Sequence, residues 1–125
     1  MWIIKRKEQS TMNIECTRDR VKQNKTEKGN EWLAFLNENM EDVLVTLEGE
    51  KMYVETIFRE VLGGEEYLYW YVVQVTGGID VDESEHWIDK KHIEYWDECI
   101  DKTFKPVELQ TDVVMIPEKV RNSMK

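Results

Sequence analysis

Residues 67–75 have the sequence YLYWYVVQV, which is typical of a β-strand and carries apolar or aromatic side chains on both of its faces. Successive side chains of a strand point to opposite faces, so Leu68, Trp70 and Val72 share one face and the tyrosines share the other. A sheet with one face in water alternates apolar and polar residues instead. We therefore expect one face to lie against the chain's own helices and the other against a second copy of the chain, since two-fold dimers are the commonest oligomers. The alternative is a monomer whose tyrosine hydroxyls face solvent.

Five further elements surround this strand. Apolar side chains spaced by three and four residues from Trp32 to Leu47 predict a helix, and Gly63-Gly64 predicts a hairpin turn. In chain order the expected elements are a strand at 13–21, a helix from a cap at Asn24 or Thr26 to Gly49 with a kink near Asn39, strands at 52–61 and 67–75, a helix from a cap at Asp82 or Ser84 to Ile100, and a strand at 107–116. With right-handed crossovers this βαββαβ order gives the ferredoxin-like sandwich, an α+β fold with an antiparallel sheet, both helices on one face, and the first and third strands central.

Length and composition favour one compact domain. The chain has 125 residues, near the commonest domain size, and its five Trp, five Tyr and three Phe are too many for a disordered acidic chain. We expect a basic N-terminal arm at residues 1–12, a single α+β barrel domain at 13–116 and a C-terminal tail at 117–125, with Met12 a second candidate start. No apolar run approaches the roughly 20 residues of a bilayer span, so the sequence predicts no transmembrane segment and no membrane partner.

The charge pattern argues against nucleic acid as a partner. The net charge is −9, and residues 31–125 hold nine basic and 22 acidic side chains. Affinity for phosphates comes from Lys and Arg side chains that neutralise them, so most of this surface repels a nucleic acid. The same charge favours a second class of function, a non-catalytic interaction protein whose acidic surface meets a basic partner.

The cysteines and the first residues indicate the compartment. Cys16 and Cys99 are the only cysteines, whereas a secreted domain of this size usually carries more, at disulfide-like intervals. The apolar Trp2-Ile3-Ile4 precedes the basic residues 5–7, which is the reverse of the order in a signal peptide. We therefore expect reduced thiols and a cytoplasmic location.

Three stretches carry a family resemblance: IECTRDRV at residues 14–21 leading to KTE at 25–27, VETIF at 54–58, and YLYWY at 67–71, with a looser fit from Asp89 through His92 to Tyr95. They resemble a small bacterial family known only as a domain of unknown function, within the dimeric α+β barrel superfamily. The resemblance implies that two ferredoxin-like protomers enclose a barrel. It implies no activity, because the superfamily includes cofactor-free quinol-forming monooxygenases, haem-degrading enzymes and sugar mutarotases, and a fold does not transmit a function.

The strand at 13–21 is expected to be central and yet is charged, which makes it a candidate for a site. If the helices cover the face of Ile14 and Cys16, the barrel receives Glu15, Thr17 and Asp19, and Glu55 of the next strand joins them there. A buried carboxyl without a partner has a raised pKa and can exchange a proton near neutral pH. These two glutamates are therefore the first acid–base candidates. The alternative is that they form ordinary ion pairs with nearby arginines: Arg18, Arg20 or Arg59.

His86 and His92 are the only histidines, and Asp89 lies midway between them. On a regular helix these three positions fan over about 120°, so one metal ion would strain to reach all three. We therefore predict no metal site and no cofactor. A histidine at the barrel mouth can act as a base near pH 7, and the alternative is a solvated surface imidazole.

The predicted function is that of a cytoplasmic homodimeric barrel that binds a small organic molecule. It stays open whether the barrel also converts that molecule as a cofactor-free enzyme. By analogy with the superfamily, such an enzyme would be monooxygenase-like or isomerase-like. The candidate catalytic residues are Glu15, Glu55, His92 and His86. The candidate ligand-binding residues are Thr17, Trp70, Tyr69, Tyr71 and Gln110.

Overall fold

A computed structural model describes residues 12–124 of the chain, so the predicted arm at residues 1–12 lies outside the described residues apart from Met12. The elements are β1 (Met12–Arg20), α1 (Thr26–Glu38), α2 (Met40–Glu50), β2 (Met52–Leu62), β3 (Glu65–Val75), a single 3-10 turn (Val81–Glu83), α3 (Trp87–Cys99), β4 (Val107–Glu108) and α4 (Glu118–Arg121). The predicted α+β class is confirmed. Among the described residues, no helix is long and apolar enough to cross a membrane.

The four strands form one antiparallel sheet in the order β2-β3-β1-β4. The prediction that the first and third strands are central is therefore confirmed. β1 pairs with β3 along its whole length, beginning with Met12 opposite Val75. β2 and β3 form a long hairpin whose turn contains Gly63 and Gly64, with φ of 59° and 79°, values that glycine adopts without strain. Three long strands thus provide a continuous floor for the helices.

The core lies between one face of this sheet and the helices. Trp32 of α1 is fully buried, and its ring lies near those of Trp70 on β3 (centroids 5.6 Å apart) and Tyr95 on α3 (6.4 Å). The other buried members of the cluster are Val21, Leu68, Cys99 and Ile100. Because large aromatic side chains bury about 150–250 Å² each, this cluster dominates the packing of α1 and α3 on the sheet.

The expected orientation of the sheet is wrong. Glu15 and Thr17 of β1 lie with Trp70 on the face that the helices cover, whereas the prediction placed Ile14 and Cys16 on that face. Register is the reason: directly opposite residues of antiparallel strands share a face, and Thr17 lies opposite Trp70. Once Trp70 packs in the core, β1 must turn Glu15 and Asp19 toward the helices, while Arg18 and Arg20 point the other way.

The long helix predicted to end at Gly49 is two helices, α1 and α2, separated at Asn39. The predicted kink there is confirmed, because the backbone N–H and the side-chain amide of Asn39 both donate to the carbonyl of Phe35 and end α1. Gly49 lies within α2. The left-handed residue that follows this helix is Lys51, with φ of 54°.

The predicted caps of the first helix are also wrong. α1 begins at Thr26 and has no side-chain cap. The Thr26 hydroxyl donates to a carboxylate oxygen of Glu66 instead (3.0 Å), and Asn24 has a positive φ of 71°. The start of α1 is therefore tied to β3 rather than closed by its own side chains.

The strand predicted at residues 107–116 is confirmed at its start alone, since β4 is two residues long. Beyond it, the N–H of Leu109 donates to the carbonyl of Cys16 (2.9 Å), and the hydroxyl of Thr111 donates to that of Ile14 (3.1 Å). The chain thus follows the edge of β1 as far as residue 111 without extending the strand. The predicted tail at 117–125 contains the short helix α4.

Candidate functional site

A cavity of about 930 Å³ lies between the helix-covered face of the sheet and the helices α1, α2 and α3. β1, β2 and β3 form its floor. Its walls are apolar side chains of the helices, among them Leu36, Val43, Leu47, Ile88 and Ile93. The prediction placed a chamber between two protomers, whereas this cavity lies within a single chain because the face of β1 that carries Glu15 and Asp19 is turned toward the chain's own helices.

Part of the predicted site lines this cavity: Glu15, Thr17, Glu55, Trp70 and His92. Glu15 and Glu55 flank Val72 in one row across β1, β3 and β2, and Thr17 lies beside Trp70 in the neighbouring row. The structure therefore brings together both predicted carboxylates and one of the two histidines.

Three of the predicted ligand-binding residues lie outside the cavity. Tyr69 and Tyr71 alternate with Trp70 and so point to the opposite face of β3, where the Tyr69 hydroxyl donates to Glu60 (2.6 Å). Gln110 is exposed and its side chain donates to Asp112 (2.6 Å). Tyr69 and Gln110 thus have local partners, and none of the three residues lines the cavity.

His86 caps α3 and does not line the cavity. Its Nδ1 accepts a hydrogen bond from the backbone N–H of Ile88 (3.2 Å), and its Nε2 lies 3.9 Å from a carboxylate oxygen of Asp42 on α2. This helix therefore starts at His86, and not at the predicted caps Asp82 or Ser84. The role of His86 is to hold the start of α3 beside α2.

Glu55 lies on the cavity floor, where the indole N–H of Trp70 donates to one of its carboxylate oxygens. Burial raises the pKa of Glu55, the hydrogen bond from Trp70 lowers it in part, and the negative charge of Asp89 raises it again. A carboxyl in these surroundings takes up a proton more readily than one on the surface.

The ion-pair alternative for the two predicted carboxylates is not found within residues 12–124. Arg20 pairs with Asp101 after α3 (2.8 Å), and Arg59 pairs with Glu66 (3.0 Å). The guanidinium of Arg18 lies over an aromatic ring of β3, 5.0 Å from its centroid. All three arginines are thus engaged elsewhere.

His92 of α3 is held among aromatic rings. Trp32 Nε1 donates to its Nδ1 (3.0 Å), and the rings of Trp32 and Trp70 lie 5.5 Å and 5.7 Å away between centroids. Burial lowers the pKa of His92 below its ordinary value of 6.5, and the charge of Asp89 opposes this shift. Because Nδ1 accepts a hydrogen bond, the neutral ring carries its proton on Nε2. His92 is therefore a hydrogen-bond donor, whereas the predicted role as a base would need the nitrogen that Trp32 occupies.

We expect NMR to find His92 neutral, with its proton on Nε2, at pH 7. Since burial disfavours the imidazolium form, the ring should protonate below pH 6.5, and protonation must break the hydrogen bond from Trp32. Long-range ¹H–¹⁵N correlations during a pH titration measure both properties. The variant Trp32→Phe, which lacks the indole N–H, should lose the fixed tautomer of His92. A wild-type His92 ring that is half-protonated at or above pH 6.5 would contradict the assignment of a lowered pKa.

Three further carboxylates in the cavity are buried: Asp19, Glu50 and Asp89, with exposed fractions of 3%, 7% and 6%. Burial, followed by the charges of Glu55, Asp89 and Asp80, raises the pKa of Glu50 to about 7. Burial also raises the pKa of Asp19. Oδ2 of Asp89 is buried and has no hydrogen-bond partner among the described residues.

Sequence reasoning selected none of these carboxylates as an acid–base candidate: it placed Asp19 in the barrel, weighed Asp89 as a metal ligand beside the histidines, and missed Glu50. Glu50 and Asp89 nevertheless carry a signal. Glu50 continues the apolar stripe of Val43 and Leu47, and Asp89 precedes His92 by three residues on the same helix. A charged side chain at an inward-facing position is rare unless it is paired or functional. Applied to these stripes, that rule would have found both residues.

Residues 12–122 match the model of a family described as a family of unknown function, DUF6176. The chain belongs to the DUF6176 family. No curated protein and no solved structure matches the chain. The predicted resemblance to a domain of unknown function is thereby confirmed, while membership of the dimeric α+β barrel superfamily stays a prediction.

The cavity of this DUF6176 chain is acidic. Its carboxylate side chains are Glu15, Asp19, Glu50, Glu55, Asp82 and Asp89, and no lysine or arginine within residues 12–124 lines it. In the described part of the chain, the one set of three ligand atoms within 4.8 Å of one another belongs to an exposed cluster, Asp80, Asp82 and Glu83. The cavity carboxylates are therefore spread along the walls and do not converge on a single ion.

Proposed function

We propose that this DUF6176 chain binds a small organic molecule in the cavity between its sheet and its helices. The observation that carries the proposal is the cavity itself, whose volume of about 930 Å³ falls within the range of about 300–1,000 Å³ typical of ligand pockets. Apolar walls with a few well-placed polar groups are also typical of such pockets. On this reading the binding site belongs to each protomer and needs no second copy to be complete.

The groups best placed to act on a ligand are Glu55 and His92. Glu55 combines a raised pKa with a fixed orientation, because Trp70 holds one of its oxygens, so it can accept or return a proton near neutral pH. His92 offers the N–H of Nε2 while Trp32 occupies Nδ1. We infer that a bound molecule exchanges a proton with Glu55, without a cofactor.

A thermal-shift and Trp-fluorescence screen of the full chain against a metabolite library tests this function. We expect ligands that shift the melting temperature and change the fluorescence, because Trp70 lines the cavity. Glu55→Gln should weaken their binding by about tenfold or more, the usual effect of losing a hydrogen bond to a charged group. Glu94→Gln, at an exposed position of α3, should leave binding unchanged. An absence of binding across a broad library would refute the proposal.

We further propose that the fold is ferredoxin-like and that two copies pair in the cytoplasm through the sheet face away from the helices. From its other edge the strand order is β4-β1-β3-β2, which supports the first part. The second part is supported by apolar side chains left exposed on β2, where Phe58 and Leu62 are 55% and 57% accessible. Phe58 lies opposite Tyr69, whose side chain points away from the helices, and Leu62 lies four residues farther along the same face of β2.

We expect light scattering after size-exclusion chromatography to give a dimer at micromolar concentration. Phe58→Asp, which places a charge on the apolar face, should shift the mass toward the monomer, since an unpaired buried charge is costly. Asp82→Asn, at an exposed position outside the sheet, serves as the control. A wild-type monomer at about 100 µM, a concentration at which a dimer with a Kd of about 1 µM is mostly formed, would rule out the pairing.

A further inference from the structure

We propose that the ligand of the cavity is an aliphatic cation with two or more protonated nitrogens. This inference rests on the proposed binding function and names the chemical class of its ligand. It follows from the burial of the cavity carboxylates, from the absence of cations beside them in the described residues, and from their spacing.

Buried carboxylates without partners are the first observation. Asp19, Glu50 and Asp89 are each more than nine-tenths buried, and buried charges in proteins are normally paired. Among residues 12–124, no side chain donates a hydrogen bond to any of the three, and Oδ2 of Asp89 is enclosed without a partner. The protein holds these groups at a cost that a cationic ligand would offset.

The sign of the charge selects the ligand. Glu50 lies within the electrostatic reach of Glu55, Asp89 and Asp80. No lysine or arginine of the described residues lines the cavity, and burial favours the neutral form of His92. Like charges in a poorly solvated space repel one another strongly. A cation relieves this repulsion, whereas an anion adds to it, so ligands with carboxylate or phosphate groups are disfavoured.

The spacing of the carboxylates distinguishes an extended organic cation from a metal ion. Glu15 and Glu55 stand on either side of β3 in one row, two strand spacings or about 10 Å apart at the backbone. Asp19 lies four residues farther along β1, about 13 Å from Glu15. A metal ion needs its oxygen ligands within about 2.6 Å. A chain with a nitrogen at each end can reach separate carboxylates.

The walls suit the hydrocarbon part of such a ligand. Leu36 and Ile88 line the cavity between the acidic groups, as do the rings of Trp70 and Trp96. Methylene groups gain from burial against such side chains, and an ammonium group over the face of an indole ring is attracted by its π electrons. The cavity therefore offers contacts to both parts of an alkyl diamine.

Calorimetric titration of the full chain with three probes of equal length tests the proposal: 1,5-diaminopentane, pentane-1,5-diol and glutarate. We expect the diamine to bind at least tenfold more tightly than the diol and glutarate not to bind. The diamine affinity should also fall as salt is added, because charges are screened.

Two conservative variants locate the binding. Glu50→Gln and Asp89→Asn remove one charge each while keeping the side-chain size, and each should weaken diamine binding tenfold or more. Glu94→Gln, outside the cavity on α3, should bind as the wild type does. Circular dichroism and chemical unfolding establish that each variant is folded. If one cavity variant does not fold, the other alone suffices for the comparison of diamine affinity with the wild type.

The outcomes separate the ligand class from the binding function. If the diol or glutarate binds as tightly as the diamine, the cation assignment is wrong but the binding function stands. The same holds if all ligands found in the library are neutral or anionic. Diamine binding unaffected by both cavity variants would also overturn it, since the amine would then sit on the acidic surface. Failure of all three probes and of the whole library would overturn both proposals.

Discussion

Replacing Trp32 by alanine is expected to lower the free energy of unfolding by about 3–5 kcal/mol. Trp32 is fully buried, stands against Trp70, Tyr95 and Trp96, and donates a hydrogen bond to His92. Alanine removes all of these contacts and leaves a cavity that the stiff sheet cannot close. Since a single domain is stable by about 5–15 kcal/mol, the variant should be near the limit of folding. Guanidinium unfolding followed by circular dichroism measures the loss.

Trp87 provides a matched control on the same helical layer. It is 51% exposed and touches the core through an edge contact with Phe35, so Trp87→Ala should cost about 1 kcal/mol or less. Trp32→Phe separates packing from hydrogen bonding, because it keeps a ring and leaves Nδ1 of His92 without its donor, a loss of about 1 kcal/mol. Equal losses in the two alanine variants would show that Trp32 is not the centre of the core.

Some features of the fold are determined by short stretches of sequence and could be predicted from them. The strand at 67–75, the Gly63-Gly64 turn and the break near Asn39 follow from residue types and spacing, and each is present. The orientation of the sheet was not predictable from alternation, because β3 is apolar on both faces. It depends on which face packs against Trp32, which is a tertiary property, and in the structure the ring of Trp70 lies beside that of Trp32.

The fourth strand shows a different limit. Alternation over residues 107–116 predicts a strand, but a strand needs a partner. Val107 and Glu108 pair with Arg18 and Thr17 of β1, and the next contacts with this strand are the hydrogen bonds from the N–H of Leu109 and the hydroxyl of Thr111. The alternation of one segment does not show whether its backbone stays in register with a neighbouring strand.

Part of the candidate site could be predicted from the chemistry of its residues, and the rest depended on tertiary packing. Glu15, Glu55 and His92 were identified by their chemistry, and this reasoning holds on either face of the sheet. Glu50 was missed although it continues the apolar stripe of α2, because its residue type does not show that α2 buries it beside β2. Tyr69 and Tyr71 were selected for the correct strand and the wrong face.

Glu50→Gln is expected to stabilise the protein at pH 8 by about 2 kcal/mol and to leave its stability unchanged below pH 4.5. In the folded protein, burial and neighbouring carboxylates raise the pKa of Glu50 from 4.5 to about 7. The unfolded chain therefore releases this proton at lower pH than the folded chain does, and stability falls as pH rises from 4.5 through 7. The loss is complete above the folded pKa. Solvent in the cavity screens part of the shift, which reduces the expected effect to the value given.

Glutamine reproduces the neutral, protonated side chain, so it removes the pH-dependent loss without changing the packing of α2. Chemical unfolding at intervals from pH 5 to pH 8 measures the difference between variant and wild type, which should widen steadily over that range. Glu48→Gln, at an exposed position of the same helix, should keep the wild-type slope. Parallel curves for the wild type and Glu50→Gln would show that Glu50 ionises as a surface carboxyl does. The electrostatic cost that a cationic ligand is proposed to relieve would then be absent at this position.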